Sequence, residues 1–227
     1  VTFSIDLIDG EYGLPGNRHI TATYKLVEES AQSTVNLTYT CTTDAATFIN
    51  MTNHVYFNLN GHDSGDVCGH QLTIQAESYL PLREDSVSAG TVNSVAGTPF
   101  DFRTQKAVGK DIDADHEQIK NGAGYDHCYV LNKKEEGELS FAARIVEPNS
   151  GRTMEVYTTE PGVQLYTHNW ATGYKLQHGA TAPRRSAICF ECQHFPDSPN
   201  HPYFPSVVLR PNDMYKQKTI YKFGVEK

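Results

Sequence analysis

The sequence predicts an all-β protein built as a large antiparallel β-sandwich. Three observations lead there: five segments alternate apolar and polar residues with period two, turn dipeptides separate them, and no capped apolar pattern at helical spacing runs beyond about three turns. The alternating segments are Ile20 to Leu26, Val35 to Cys41, Leu139 to Ile145, Met154 to Tyr157 and Thr219 to Phe223. A strand carries one face inward and the next outward, so each segment presents an apolar side to a core. The punctuation falls at Asp9-Gly10, Pro15-Gly16, Pro148 to Gly151 and Pro161-Gly162. These residue types either accept the positive φ that tight turns need or fix φ in advance. Lys106 to Lys120 reads as a short helix or irregular polar segment, and Lys133-Lys-Glu-Glu136, with both signs of charge together, as a solvated hairpin tip. Strands without intervening helices favour stacked antiparallel sheets over a doubly wound fold.

A chain of 227 residues buries a full core as one domain, so residues 1–227 are read as a single β-sandwich domain. The formal net charge of -8 argues against a phosphate backbone as partner, because nucleic-acid binding rests on clustered Lys and Arg. A polar small molecule fits better. No apolar run reaches membrane-spanning length and no signal-peptide pattern opens the chain, so a cytoplasmic location with no membrane partner is expected. Cys41, Cys68, Cys128, Cys189 and Cys192 form no even disulfide framework and are read as reduced thiols. The Cys189-x-x-Cys192 spacing lacks a second such pair or a nearby histidine pair at zinc-ligand spacing, so no metal is expected there. Asn36-Leu-Thr and Asn50-Met-Thr match the glycosylation acceptor pattern, which has meaning only in a secreted chain.

Chemistry enters at Glu191. It stands in the apolar run Ser186-Ala-Ile-Cys-Phe-Glu-Cys-Gln193, followed by the turn-rich His194-Phe-Pro-Asp-Ser-Pro-Asn200. A carboxylate in a strand apolar on both sides loses water, its pKa rises, and it becomes a better base. Three other segments place polar residues where plain strands would not: Thr52-Asn-His-Val-Tyr-Phe-Asn-Leu59, Gly124-Tyr-Asp-His-Cys-Tyr-Val130 and Thr159-Glu-Pro-Gly-Val-Gln-Leu-Tyr-Thr167.

Together these segments resemble the aldose 1-epimerases, or galactose mutarotases. The resemblance begins at Val1-Thr-Phe-Ser4 and Gly10-Glu-Tyr-Gly-Leu-Pro-Gly16 and continues through Tyr79-Leu-Pro81 and Thr98-Pro-Phe-Asp-Phe102. It ends with Phe204-Pro-Ser-Val-Val-Leu-Arg-Pro211 and Tyr221-Lys-Phe-Gly224, and so covers nearly the whole chain. It implies the mutarotase-like supersandwich and the cofactor-independent interconversion of α and β anomers of hexoses such as galactose and glucose. By the same resemblance, Glu191 is the general base that takes the proton of the anomeric hydroxyl. His54 is the general acid that protonates the ring oxygen, and Asp126 and Gln164 bind substrate hydroxyls. The side chains suit these tasks: imidazole titrates near neutral pH, and a carboxylate and an amide each offer several hydrogen-bonding positions to vicinal hydroxyls. His127 and Asn53 are read either as supports of the site or as core residues, and His168 and Trp170 as loop residues, Trp170 within reach of a sugar face.

Two motifs of the family's N-terminal part, an arginine and a histidine in Leu-His-Gly-Gly, do not occur here. Arg18 and His19 precede a strand where the family has no catalytic residue and inherit no role. The expectation is therefore a chain lacking the family's N-terminal segment, which a separate polypeptide could supply. The alternatives are a hexose 6-phosphate mutarotase, for which Arg184-Arg185 is the candidate phosphate cluster, and a non-catalytic sugar-binding protein on the same fold. A retaining glycosidase using Asp126 and Glu191 leaves the histidine motif without a task.

Overall fold

The computed structural model describes residues 1–29, 32–170 and 173–226. Fifteen strands follow one another: β1 Thr2–Leu7, β2 Arg18–Glu29, β3 Gln32–Thr43, β4 Thr47–Phe48, β5 Gln71–Ile74, β6 Ala76–Tyr79, β7 Asn93–Ser94, β8 Lys106–Ala107, β9 Asp126–Leu131, β10 Ser140–Val146, β11 Arg152–Thr158, β12 Gly162–Tyr166, β13 Cys189–Gln193, β14 Val208–Leu209 and β15 Tyr215–Val225. All the ladders are antiparallel, in an eight-stranded sheet ordered β1-β2-β3-β15-β11-β10-β5-β8, a five-stranded sheet ordered β13-β12-β9-β6-β7, and a small pair β14-β4. The five predicted strands all form, most of them longer than their apolar cores, because ladder bonding continues into flanking polar residues.

The main core lies between the two large sheets. Leu72, Ile74, Ile145, Met154, Val156 and Tyr221 face Tyr129, Val163, Leu165, Phe190 and Cys192, all buried. Burial of each large apolar side chain contributes roughly 1.5–3 kcal/mol before entropy is counted, which makes this layer the main cohesive element. Alternation along the five-stranded sheet does the sorting. Val163, Leu165, Phe190 and Cys192 point to the core, so Gln164, Tyr166 and Glu191 emerge on the opposite face.

One local reading is refined and another corrected. The stretch Lys106 to Lys120 divides into β8, a 3-10 turn Val108–Lys110, and a helix, α1, confined to Glu117–Asn121. His116 caps that helix by accepting from the Gln118 amide, and Gly122 ends it. The stretch Lys133 to Glu136 is no hairpin tip, since β9 and β10 belong to different sheets and the chain there crosses between them. Nor is Lys133 free in water: its Nζ donates to the Glu138 and Thr158 carbonyls and to Ser140 Oγ. Charge density alone did not reveal the buried carbonyls it serves.

Among the described residues no helix is long and apolar enough to cross a membrane. Cys189 and Cys192, three apart on one strand, point to opposite faces: Cys189 pairs with Tyr166 on the outer face, Cys192 with Val163 in the core. They therefore cannot chelate one ion together.

Candidate active site

Register builds the site. Across the β12-β13 ladder Gln164 stands directly opposite Glu191, and across β12-β9 Tyr166 stands opposite Asp126. Directly opposed residues share a face, so three adjacent strands deliver Glu191, Gln164 and Asp126 to one patch. Gln164 Nε2 donates to Asp126 Oδ1 at 2.8 Å, while Gln164 Oε1 is buried without a partner. Cys128, opposite Gln164 on the same face, belongs with Leu80, Phe195 and Phe204 to a small apolar cluster beside the patch.

The fourth residue arrives from outside the sheet. β13 is an edge strand, and an edge strand offers free ladder groups to any passing segment. Residues 50–57 run alongside β13 and bond to the residues that flank it, Ile188 and His194. Phe57 and Ile188 exchange both backbone hydrogen bonds at 2.9 Å, and the Asn50 side chain pairs with the backbone N–H and carbonyl of His194. Continued past Phe57 and Ile188, that antiparallel register sets His54 opposite Glu191. His54 Nε2 lies 3.3 Å from Glu191 Oε1. From the large sheet, Tyr39 Oη donates to the Thr52 carbonyl and Tyr215 Oη accepts from the Met51 N–H. Asn53 Nδ2 donates to Tyr24 Oη. Asn53 is thus a support of the site.

The electrostatics follow from this placement. Burial raises the Glu191 carboxyl from its ordinary 4.5 to about 7, and the nearby Asp126 charge adds to the rise. Asp126 is also raised by burial, with the Gln164 amide and His54 acting in the opposite direction. His127 is a core residue: fully buried on the other face of β9, its imidazole is pushed down to about 3 by burial and is neutral. It cannot reach the patch.

The four residues share a cavity of about 310 Å³ with Tyr56, Tyr166, Trp170, Gln193 and Pro196. Tyr56 stacks on His54 at 4.9 Å between ring centroids, and Tyr166 meets His54 edge-on at 5.8 Å. Trp170 stands exposed at the rim. His168, its Nδ1 2.8 Å from Ser186 Oγ, is buried against Tyr56. Tyr56 and Tyr166 were missed in the sequence, although each lies two residues from a predicted site residue, the spacing that returns to the same face of a strand. The cavity lining has no Lys or Arg among the described residues. Arg184 and Arg185 are engaged elsewhere: Arg184 holds the Asn169 and Ala123 carbonyls, and Arg185 the Asp113 carboxylate and the Ala123 carbonyl. A larger hollow of about 1060 Å³ on another part of the surface contains none of the four residues.

An antiparallel sandwich thus presents a desolvated carboxyl, an adjacent imidazole and a linked carboxyl and amide together in one cavity on one sheet face. The chain belongs to the aldose 1-epimerase family, whose profile matches residues 1–222. It is 42% identical over 226 residues to the galactose mutarotase of Homo sapiens, covering 99% of this chain and 63% of that one. With the aldose 1-epimerase of Escherichia coli K12 it shares 38% identity over 228 residues, 100% of this chain and 64% of that one. Its fold matches a crystal structure of an aldose epimerase homologue from C. elegans with a TM-score of 0.87 at 29% identity, over 100% of this chain and 66% of the other. A galactose 1-epimerase structure from Lactobacillus acidophilus gives 0.85 at 28% identity, over 100% and 63%. The chain spans about 63% of the length of the curated galactose mutarotases it matches.

Proposed function

We propose that this chain carries the acid–base site of an aldose 1-epimerase acting on unphosphorylated hexoses such as galactose or glucose. The observation that supports this most is the 3.3 Å approach of His54 to Glu191 inside a cavity whose other polar wall is the Asp126-Gln164 pair. Anomer exchange moves protons on two oxygens attached to the same carbon, so acid and base must sit side by side. Glu191 carboxylate takes the proton of the C1 hydroxyl while His54 gives one to the ring oxygen; the bond from C1 to O5 breaks and an open-chain aldehyde forms. After rotation about the bond from C1 to C2, His54 recovers its proton from the C5 hydroxyl as that oxygen attacks C1, and Glu191 returns its proton to O1. The pair ends as it began.

Asp126 and Gln164 would hold the remaining hydroxyls, and a hydroxyl is the kind of donor that the unpartnered Gln164 Oε1 lacks. A cavity of about 310 Å³ is at the small end of ligand sites, which suits one sugar ring. The lining carries two carboxyl groups and, among the described residues, no Lys or Arg, which disfavours a phosphorylated substrate, for which bidentate arginines would be needed. Polarimetry of freshly dissolved α-galactose tests the reading: accelerated mutarotation that is lost in Glu191→Gln supports it, and a rate indifferent to that substitution refutes it.

We further propose that the site works at full rate only with the part of the family chain that this sequence does not span. The half-exposed His54 and the uncovered apolar side chains Phe3, Ile5 and Leu26 on β1 and β2 support this.

A further inference from the structure

Three of the four site residues belong to segments that meet at one cluster outside the cavity. His194 follows Glu191 by three residues, Glu160 precedes Gln164 by four, and Asn50 precedes His54 by four. His194 Nδ1 and Glu160 Oε2 are 2.6 Å apart, with Glu160 only 3% exposed. A buried carboxylate of this kind holds its partner firmly, because separation would leave it unpaired out of water. The backbone of His194 is in turn gripped by Asn50, whose Oδ1 accepts from the His194 N–H at 3.0 Å and whose Nδ2 donates to the His194 carbonyl at 3.1 Å. An amide that both accepts and donates in this way replaces one ladder pair of a β-sheet. Phe57 and Ile188 supply a true ladder pair at the other end. Between these two pins, β13 receives side chains on its free carbonyls: Tyr221 Oη at Phe190 and Gln217 Nε2 at Cys192. Residues 51–56 therefore arch over Glu191, steadied from the large sheet by Tyr215, Tyr39 and Tyr24, and the two pins fix the ends of the arch on the β13 side.

We propose that Asn50 is a positioning residue that acts through His54: its clamp on His194, made rigid by Glu160, sets the imidazole against Glu191. The same side chain is the acceptor of the Asn50-Met-Thr pattern, and its amide nitrogen is already occupied by the His194 carbonyl. The kinetic part of this inference rests on the function proposed above; the geometric part does not.

The test uses the full chain with Asn50→Ala and Asn50→Asp, each with and without Glu191→Gln. Asn50 is exposed, so neither variant opens the core. The first readout is the side-chain ¹H–¹⁵N spectrum of His54. In the parent, Glu191→Gln should move the His54 Nε2 resonance. In Asn50→Ala that response should fall by half or more, and Asn50→Asp, which keeps the acceptor for the His194 N–H, should restore part of it. The second readout is mutarotation. Asn50→Ala should lower kcat by about tenfold with KM nearly unchanged, since a small misplacement of a reacting group is felt in the rate. In a His54→Asn background the same change should cost nothing further. An unaltered His54 response in Asn50→Ala, or a kcat loss that persists undiminished without His54, overturns the proposal. A parent chain whose activity ignores Glu191→Gln overturns the mutarotase reading instead, and the spectra still decide the role of Asn50.

Discussion

The Tyr221 hydroxyl donates to the carbonyl oxygen of Phe190 at 3.2 Å, one residue before Glu191. The Tyr221 hydroxyl oxygen also lies 3.5 Å from Asn53 Oδ1, one residue before His54. One side chain of the large sheet thus touches the immediate neighbours of both Glu191 and His54. Tyr221→Phe keeps the packing against Phe57 and removes only the hydroxyl. The expected result is a loss of about 1 kcal/mol in stability, from the unmet Phe190 carbonyl, together with a several-fold fall in kcat. Denaturant unfolding and polarimetry on the same preparation check both. Unchanged turnover would assign Tyr221 to the core alone.

Glu191→Gln should reduce mutarotation roughly a hundredfold or more, because the amide keeps shape and hydrogen bonding and cannot accept the proton. The parent's kcat/KM should fall as pH drops below about 7, where the carboxylate takes up its proton. A profile flat from pH 5 to 8 would exclude Glu191 as the base.

The same substitution carries a stability signature. The folded chain holds the Glu191 proton up to about pH 7, whereas the unfolded chain releases it near the ordinary 4.5. Between those values the folded state binds more protons, so the contribution of this group is favourable below about 4.5 and is lost as pH rises through 7. Glu191→Gln should therefore stabilise the fold at pH 8 by roughly 1–3 kcal/mol, and by much less at pH 4. Urea melts at the two pH values measure the difference, and an equal effect at both would contradict the raised carboxyl.

His54→Asn should depress kcat by about a hundredfold and KM far less, since proton donation to the ring oxygen matters in the transition state. Initial-rate kinetics over a range of galactose concentrations separate the two constants. A raised KM with normal kcat would make His54 a binding residue. His127 could not replace it, being sealed in the core.

Activity of the chain alone should be low, and addition of the remaining portion of a relative such as the Escherichia coli enzyme, as a separate polypeptide, should raise it and reduce light scattering. Full activity in a monodisperse sample of the 227-residue chain would show that the site needs nothing more.

The residues themselves announced part of this molecule. Period-two alternation set β2, β3, β10, β11 and β15, because side chains on a strand must alternate and one face must be apolar. In the folded chain the same rule places Glu191 and Gln164 on faces opposite to Phe190 and Leu165. The family motifs named His54 and Asp126, and the cavity holds both. Where local composition misled, the cause was a distant partner: Lys133 looked like a surface charge until the Thr158 carbonyl was brought to it, and the arginine pair at 184 and 185 answers to Asp113 and Ala123.

What the sequence determined by itself is therefore the all-β class, the alternation of the five strands β2, β3, β10, β11 and β15, and the chemical types available to the site, since these depend on residues adjacent in the chain. Only the tertiary structure decided that Glu191 pairs with Gln164 and not with a neighbour one step along, and that His54 arches over an edge strand pinned by Asn50 and Phe57. It also decided which buried carboxylates lose enough water to raise their pKa. Ladder register, edge coverage and desolvation all depend on groups separated by many residues along the chain, and only the packed sheets bring those groups within a few ångströms of one another.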